Sequence, residues 1–199
     1  MRLDHFAALV ATSLVVVSCT TPQTAAPAEA AMGSLVISPD RIGPWTVGVS
    51  YEKMAATAPL ELQYSSETTG SADEGPTGRG CEFFMLGENW PGLGFMFEDG
   101  ILTRIDLFDP NSRSEPPEPI KAVTDNGLKI GDTIAKAKAA YGSALQISPH
   151  PYLEDAGSYL TVKPNSVSQR GIVFETEGQI ITSLRVGDKN SVQYIEGCL

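Results

Sequence analysis

Histidine and cysteine are scarce in this sequence of 199 residues, which contains two histidines and three cysteines. Serine or cysteine nucleophiles need a base such as imidazole, and no GxSxG motif is present. His5 lies in the N-terminal apolar region, so only His150 could serve in a folded domain. One histidine also leaves too few ligands for a zinc site. The sequence therefore predicts a non-catalytic protein that carries no metal or other cofactor.

Positive charge is also sparse. Fourteen lysines and arginines stand against 24 acidic residues, and the formal net charge is -10. Such a chain is repelled by phosphate backbones, which argues against nucleic-acid binding. The glycine pair in Gly92-Leu93-Gly94 lacks the third glycine of a dinucleotide fingerprint and leads into a predicted strand.

The N-terminal apolar run, from Phe6 to Val17, is too short to span a bilayer as a helix. It follows Arg2 and ends in Val16-Val17-Ser18-Cys19, which resembles the lipobox of bacterial lipoproteins. The resemblance implies that residues 1–18 are a signal peptide and that Cys19 is lipidated. An ordinary secretory signal with a chance cysteine is the alternative.

Thr20 and Thr21 stand where lipoproteins of the inner membrane usually carry aspartate. The resemblance therefore implies a lipid anchor in the outer membrane, on its periplasmic face. Residues 19–34 are rich in proline, alanine and threonine and are predicted to be a flexible tether.

Two cysteines, Cys81 and Cys198, remain once Cys19 is lipidated. An even number of cysteines in an oxidising compartment predicts a disulfide. Such a bridge would tie the C-terminus to the middle of the chain.

Two stretches of similar sequence predict an internal repeat. They are GPWTVGVSYEKMAATA at 43–58 and NGLKIGDTIAKAKAAYG at 126–142, each a short strand, a turn and a helix. Asp99-Gly100 and Glu177-Gly178 mark a hairpin turn at matching places further on. Strands are predicted at 60–64, 81–86, 92–98, 101–108, 145–148, 159–163, 171–175 and 180–186.

We therefore predict an α+β fold made of two tandem repeats, at residues 35–108 and 125–199. Each would be a short helix packed on an antiparallel β-meander, with strands able to join one continuous sheet. The proline-rich segment 109–124 is predicted to link them.

The segment Gly131-Asp132-Thr133, its helix ending at Tyr141-Gly142 and the following meander resemble the BamE (SmpA/OmlA) lipoproteins. They also resemble the β-lactamase-inhibitor proteins, which carry this unit in tandem. The resemblance implies a non-enzymatic protein that binds a periplasmic or outer-membrane protein on a sheet face. A glycan- or small-ligand-binding module is the alternative, and a hydrolase is the least favoured.

The candidate binding residues lie where the two copies differ or where aromatic residues concentrate. The long polar loop 65–80, the sheet face opposite the helices and the proline-flanked position 150 are the candidate surfaces. The individual residues are Glu74, Arg79, Trp90, Phe95 and His150. Asp106, Asp109 and Asn111 could gather oxygens around calcium, although their spacing does not match an EF-hand loop.

Replacing Cys19 by serine is expected to abolish incorporation of labelled palmitate and to leave the signal peptide attached, because the lipid is carried on the cysteine thiol. Metabolic labelling followed by membrane fractionation measures both effects. Cys81→Ser serves as the control and should still be labelled. Labelled Cys19→Ser protein would contradict the assignment.

Overall fold

The computed structural model describes residues 34–58, 60–65, 80–86, 90–108, 120–164 and 169–198. Strands predominate in these residues. The strands are β1 (Leu35–Ser38), β2 (Arg41–Ile42), β3 (Trp45–Thr46), β4 (Leu60–Ser65), β5 (Cys81–Leu86), β6 (Leu93–Glu98), β7 (Ile101–Phe108), β8 (Ala122–Thr124), β9 (Leu145–His150), β10 (Glu154–Val162), β11 (Arg170–Glu177) and β12 (Ile180–Asp188). The α-helices are α1 (Tyr51–Ala55) and α2 (Ile134–Tyr141). Neither is long or apolar enough to cross a membrane.

Eight strands form one sheet in the order β4-β5-β6-β7-β12-β11-β10-β9. The two halves of the chain meet where β7 pairs antiparallel with β12, with Leu107 opposite Leu184 and Asp106 opposite Arg185. All neighbours in this sheet are antiparallel. Alternate residues therefore point to opposite faces, and each face collects side chains from both halves.

The turn between β6 and β7 is a two-residue hairpin turn at Asp99-Gly100. Both residues have positive φ, 49° and 74°. A type I′ turn requires this conformation, and the Asp-Gly pair adopts it readily. The predicted hairpin is confirmed.

The first face of the large sheet carries the hydrophobic core. It is covered by α1, by α2 and by a second sheet in the order β3-β2-β1-β8. Fully buried side chains from both layers meet there: Ile37, Ile42, Phe84, Leu93, Phe95, Phe97, Leu102, Ile105, Leu128, Leu160, Phe174, Ile181 and Val186. Both halves of the sequence thus share a single core.

Helix α2 begins and ends as its sequence predicts. The Thr133 side chain caps it by accepting a hydrogen bond from the Lys136 backbone N–H at 3.2 Å. Ile134 and Ala137 are buried, and Gly142 follows the helix with a positive φ of 54°. The capped helix holds one apolar face on the sheet.

The predicted α+β fold of two helix-on-meander repeats was wrong. The protein is mainly β, and α1 spans only five residues, since the approach of Pro59 leaves room for little more than one turn. The two meanders join edge to edge through β7 and β12 in one continuous sheet, which the prediction had allowed. Part of the predicted linker, Ala122–Thr124, is strand β8 and pairs parallel with β1.

The sequence similarity nevertheless corresponds to a shared local turn. The Gly48 backbone N–H donates to the Leu102 carbonyl at 2.7 Å, and that of Gly131 donates to the Ile181 carbonyl at 2.8 Å. Matching β-bridges join Ser50 to Ile101 and Thr133 to Ile180. Both glycines have positive φ, which explains why glycine recurs at this position.

The second face of the large sheet is partly covered by the C-terminal tail, residues 189–198. A 3₁₀ turn at Ser191–Gln193 begins the tail's path across the sheet. The predicted disulfide joins Cys198 in the tail to Cys81 in β5, with 5.2 Å between their Cα atoms. Cys198 packs there with Phe83 and Met96.

Replacing both Cys81 and Cys198 by serine is expected to lower the free energy of unfolding by about 4–5 kcal/mol, because the bridge closes a loop of 117 residues. Urea unfolding with and without reductant measures the loss. Reductant should destabilise the wild type by a similar amount and leave the double variant unchanged. Equal wild-type stability in both conditions would contradict the prediction.

Candidate functional site

Charged side chains line the second face of the sheet at its centre. Arg104 and Asp106 on β7 form an ion pair, with 2.8 Å between Nε and Oδ2. On the neighbouring strands, Arg185 of β12 pairs with Glu175 of β11. Both arginines and Asp106 are at most 5% exposed. Charges buried to this extent are stable only when they are paired and hydrogen-bonded.

The C-terminal tail accepts further hydrogen bonds from the two arginines, although Arg185 Nη2 is buried without a partner among the described residues. Arg104 Nη1 donates to the carbonyls of Ser191 and Tyr194, at 3.1 and 3.0 Å. Arg185 Nε donates to the Val192 carbonyl at 2.5 Å. The tail is therefore held on the sheet by two guanidinium groups as well as by the disulfide.

The Asp106 carboxyl is the most deeply buried acid in this group. Burial raises its pKa, and the nearby guanidinium groups of Arg104 and Arg185 oppose the increase. The paired arginines make a buried carboxylate tolerable at this position. A calcium ion would compete with Arg104 for the same oxygens.

A second group of side chains, the histidine–tyrosine cluster, continues from these charges toward the edge strand β9. It consists of His150, Tyr152, Tyr159, Glu175, Arg185 and Glu196. The His150 ring lies 4.8 Å from the Tyr159 ring, edge to face, and 6.1 Å from the Tyr152 ring. The Arg185 guanidinium lies 4.9 Å from the centre of the Tyr159 ring, within cation–π range.

Both ring nitrogens of His150 face protein groups. Nδ1 accepts a hydrogen bond from the Tyr152 backbone N–H at 3.1 Å, so neutral His150 carries its proton on Nε2. Nε2 lies 3.8 Å from the Glu175 carboxylate. Glu175 also accepts from the Ser183 hydroxyl at 3.2 Å. The serine bonds to the carboxylate rather than to the imidazole, which is not the geometry of an activated nucleophile.

The two tyrosines of the cluster differ in exposure. Tyr159 is buried, and burial raises its pKa, as does the neighbouring Glu175 carboxylate. Tyr152 is 61% exposed, and its hydroxyl donates to the Glu196 carboxylate, which raises its pKa. Both phenols are therefore neutral hydrogen-bond donors at ordinary pH.

Of two predicted binding residues, Phe95 belongs to the core and Trp90 packs against it. Phe95 is 0% exposed, and Trp90 is half-buried with its ring 4.8 Å from that of Trp45. The alternation of β6 directs Phe95 to the first face, which the small sheet covers. Glu74, Arg79 and Cys19, the predicted lipidation site, lie outside the described residues.

His150 lies beyond the predicted strand 145–148 but within the observed strand β9, because β9 continues through Pro149 at the sheet edge. Glu175 is half-buried between Arg185 and His150.

Tyr152, Tyr159, Arg185 and Glu196 are not among the residues predicted from the sequence. One signal was available: Arg185 stands between Leu184 and Val186 in an apolar strand, where a charge needs a partner. The partners themselves, on three other segments, could not be found without the strand order.

Within the described ranges, no group of three or more acidic, histidine or cysteine side chains is arranged to hold a metal ion. Of the calcium candidates, Asp106 is bound to Arg104, and Asp109 and Asn111 lie outside the described residues. Comparisons with protein-family models, curated proteins and solved structures find no match to this chain. The resemblance to BamE-like lipoproteins therefore stays a prediction from short motifs.

Arg185→Met is expected to lower the free energy of unfolding by about 3–5 kcal/mol, because it leaves Glu175 without its cation. The double variant Arg185→Met/Glu175→Met should recover much of this loss, since neither charge then remains alone. Urea unfolding of the oxidised protein measures each value.

Lys136→Met provides the matched control, because it breaks the exposed pair with Asp132 on helix α2. That pair is expected to contribute only about 0.3–0.5 kcal/mol. If the double variant loses as much free energy of unfolding as Arg185→Met and Glu175→Met together, the two side chains are not coupled.

Proposed function

We propose that the protein is a lipid-anchored component of the bacterial cell envelope that binds a protein partner in the periplasm. The anchor is the lipid on Cys19, in the outer membrane. The binding surface is the exposed edge of the histidine–tyrosine cluster, formed by Tyr152 and Glu196, together with Ile195, which precedes Glu196 in the tail. Its role is non-catalytic, of the assembly or inhibitor type.

The observation that carries this proposal is the exposure of large side chains on a firmly held support. Tyr152 is 61% exposed and Ile195 is 45% exposed. The Glu196 carboxylate bonds to the Tyr152 hydroxyl and thereby connects the tail to the turn after β9. Tyrosine is enriched among the residues that dominate protein–protein binding energies.

The support for these side chains reduces the entropy that binding would cost. The disulfide holds one end of the tail, and the two buried arginines hold its middle through backbone carbonyls. Tyr152 is positioned through its backbone bond to His150. A surface that is already ordered loses less freedom when a partner binds.

The charge of the chain favours a basic partner. The net charge of -10 attracts a positively charged protein over a distance of about 8–10 Å at physiological ionic strength. Glu196 and the Tyr152 ring together offer a carboxylate and an aromatic face, which both attract a lysine or arginine side chain. We expect the partner to present such a residue.

The oxidising compartment is supported by two independent features. The lipobox-like Val16-Val17-Ser18-Cys19 predicts export, and the Cys81–Cys198 bridge is typical of proteins outside the cytosol. The acidic surface argues against nucleic acid as the partner.

Replacing Tyr152 by a photo-crosslinking phenylalanine analogue is expected to capture one protein from intact cells, because this position would lie at the interface. Immunoblotting and mass spectrometry of the irradiated envelope fraction detect the adduct. Adding Glu196→Lys should weaken the adduct at least about tenfold, since it reverses the charge offered to a basic partner.

The matched control carries the same analogue at Phe108, an aromatic residue that is 38% exposed at the end of β7. It should give no corresponding adduct. Identical adducts at both positions, or none at Tyr152, would count against the proposal.

A further inference from the structure

A groove of about 270 Å³ lies beside the first part of the tail and shares no residue with the histidine–tyrosine cluster. It is formed where the end of β6, the start of β11 and the end of β12 meet the tail. Its lining residues are Glu98, Gln169, Asp188, Lys189, Asn190, Ser191 and Tyr194. This volume is just below the range of about 300–1,000 Å³ that is common for ligand pockets, so the groove has room only for a small ligand.

The groove is rich in groups that both donate and accept hydrogen bonds. Gln169 and Asn190 are among the lining residues, and each carries a side-chain amide with two N–H donors and a carbonyl acceptor. The Glu98 carboxylate accepts from the buried Ser191 hydroxyl at 2.6 Å, which holds it in place. A carboxylate has about four acceptor positions, so Glu98 can accept further bonds. Such a lining suits a ligand with several hydroxyl groups.

The fixed charges around the groove cancel. Glu98 and Asp188 carry two negative charges, and Lys189 and the Arg170 that pairs with Asp188 carry two positive charges. The two positive and two negative charges of these four side chains sum to zero. The groove therefore offers no local excess of charge that would hold an anion or a cation, and it suits a neutral polar ligand.

Tyr194 adds an apolar surface to this polar lining. It is 41% exposed, and its backbone carbonyl is fixed by Arg104 Nη1 at 3.0 Å. A tyrosine ring presents a large apolar face with a polar tip. The C–H groups on one side of a sugar ring can pack on such a face while the hydroxyls bond to the amides and carboxylates around it.

From these features we infer that the groove binds a single neutral sugar unit, such as a hexose or an N-acetylhexosamine. Recognition comes from the Tyr194 ring, the amides of Gln169 and Asn190 and the Glu98 carboxylate. The site is independent of the protein-binding surface at Tyr152.

Saturation-transfer NMR and calorimetry on the full-length lipidated protein test this inference. The detergent must lack a sugar headgroup. The neutral probes are glucose and N-acetylglucosamine, and the charged comparators are glucuronate and glucosamine. The neutral probes should bind with a Kd on the order of 1 mM, and the charged comparators several times more weakly.

Tyr194→Ala is expected to reduce affinity for the neutral probes by about tenfold, because it removes the aromatic face. Gln169→Ala should reduce the affinity for the neutral probes severalfold. Because Gln169 is not part of the tail, this variant tests the groove even if Tyr194→Ala disturbs the fold. Tyr152→Ala is the matched control and should bind the probes normally.

Three results would overturn the inference. The first is the absence of neutral-sugar binding at roughly 50 mM, which is far above the expected Kd. The second is equal affinity of the wild type, Tyr194→Ala and Gln169→Ala for the neutral probes. The third is tighter binding of a charged comparator than of the neutral probes. Loss of the Tyr152 photo-adduct alone would bear on the proposed protein partner and not on the groove.

Discussion

The tail of this protein is held by two arginines that the sheet cannot satisfy without it. Arg104 and Arg185 are buried on the second face, where each has a carboxylate partner and also donates to tail carbonyls. Removing the tail would leave these donors without partners in a region of low dielectric constant, which is costly. The disulfide and the arginines therefore hold the same segment by different physical means, one covalent and one polar.

This arrangement gives the two faces of the large sheet different roles. The first face is apolar and is covered by the two helices and the small sheet, so its side chains form the hydrophobic core. The second face combines buried ion pairs with apolar residues such as Met96 and Val173. It is partly covered by the tail, which contributes Tyr194 to the groove and Glu196 to the histidine–tyrosine cluster. Both proposed surfaces depend on the tail, although they lie on different residues.

Much of the local structure could be predicted from the sequence, because it depends on short-range chemistry. Asp99-Gly100 specifies its turn through positive φ, and Thr133 caps α2 through its hydroxyl. The fold class could not be predicted in the same way. Whether two meanders form separate units or one sheet depends on the pairing of β7 with β12, and backbone hydrogen bonds between distant strands leave little trace in side-chain patterns.

The candidate site shows the same division. The sequence by itself determined the export signal pattern, the cysteine pair, the acidic charge and the individual hairpins, since each depends on composition or on neighbouring residues. Tertiary structure alone decided that Phe95 is buried, that Glu175 meets Arg185 and that the tail brings Glu196 to Tyr152. The physical reason is that alternation tells which residues share a face of a strand, while only strand order and register tell which side chains meet across it.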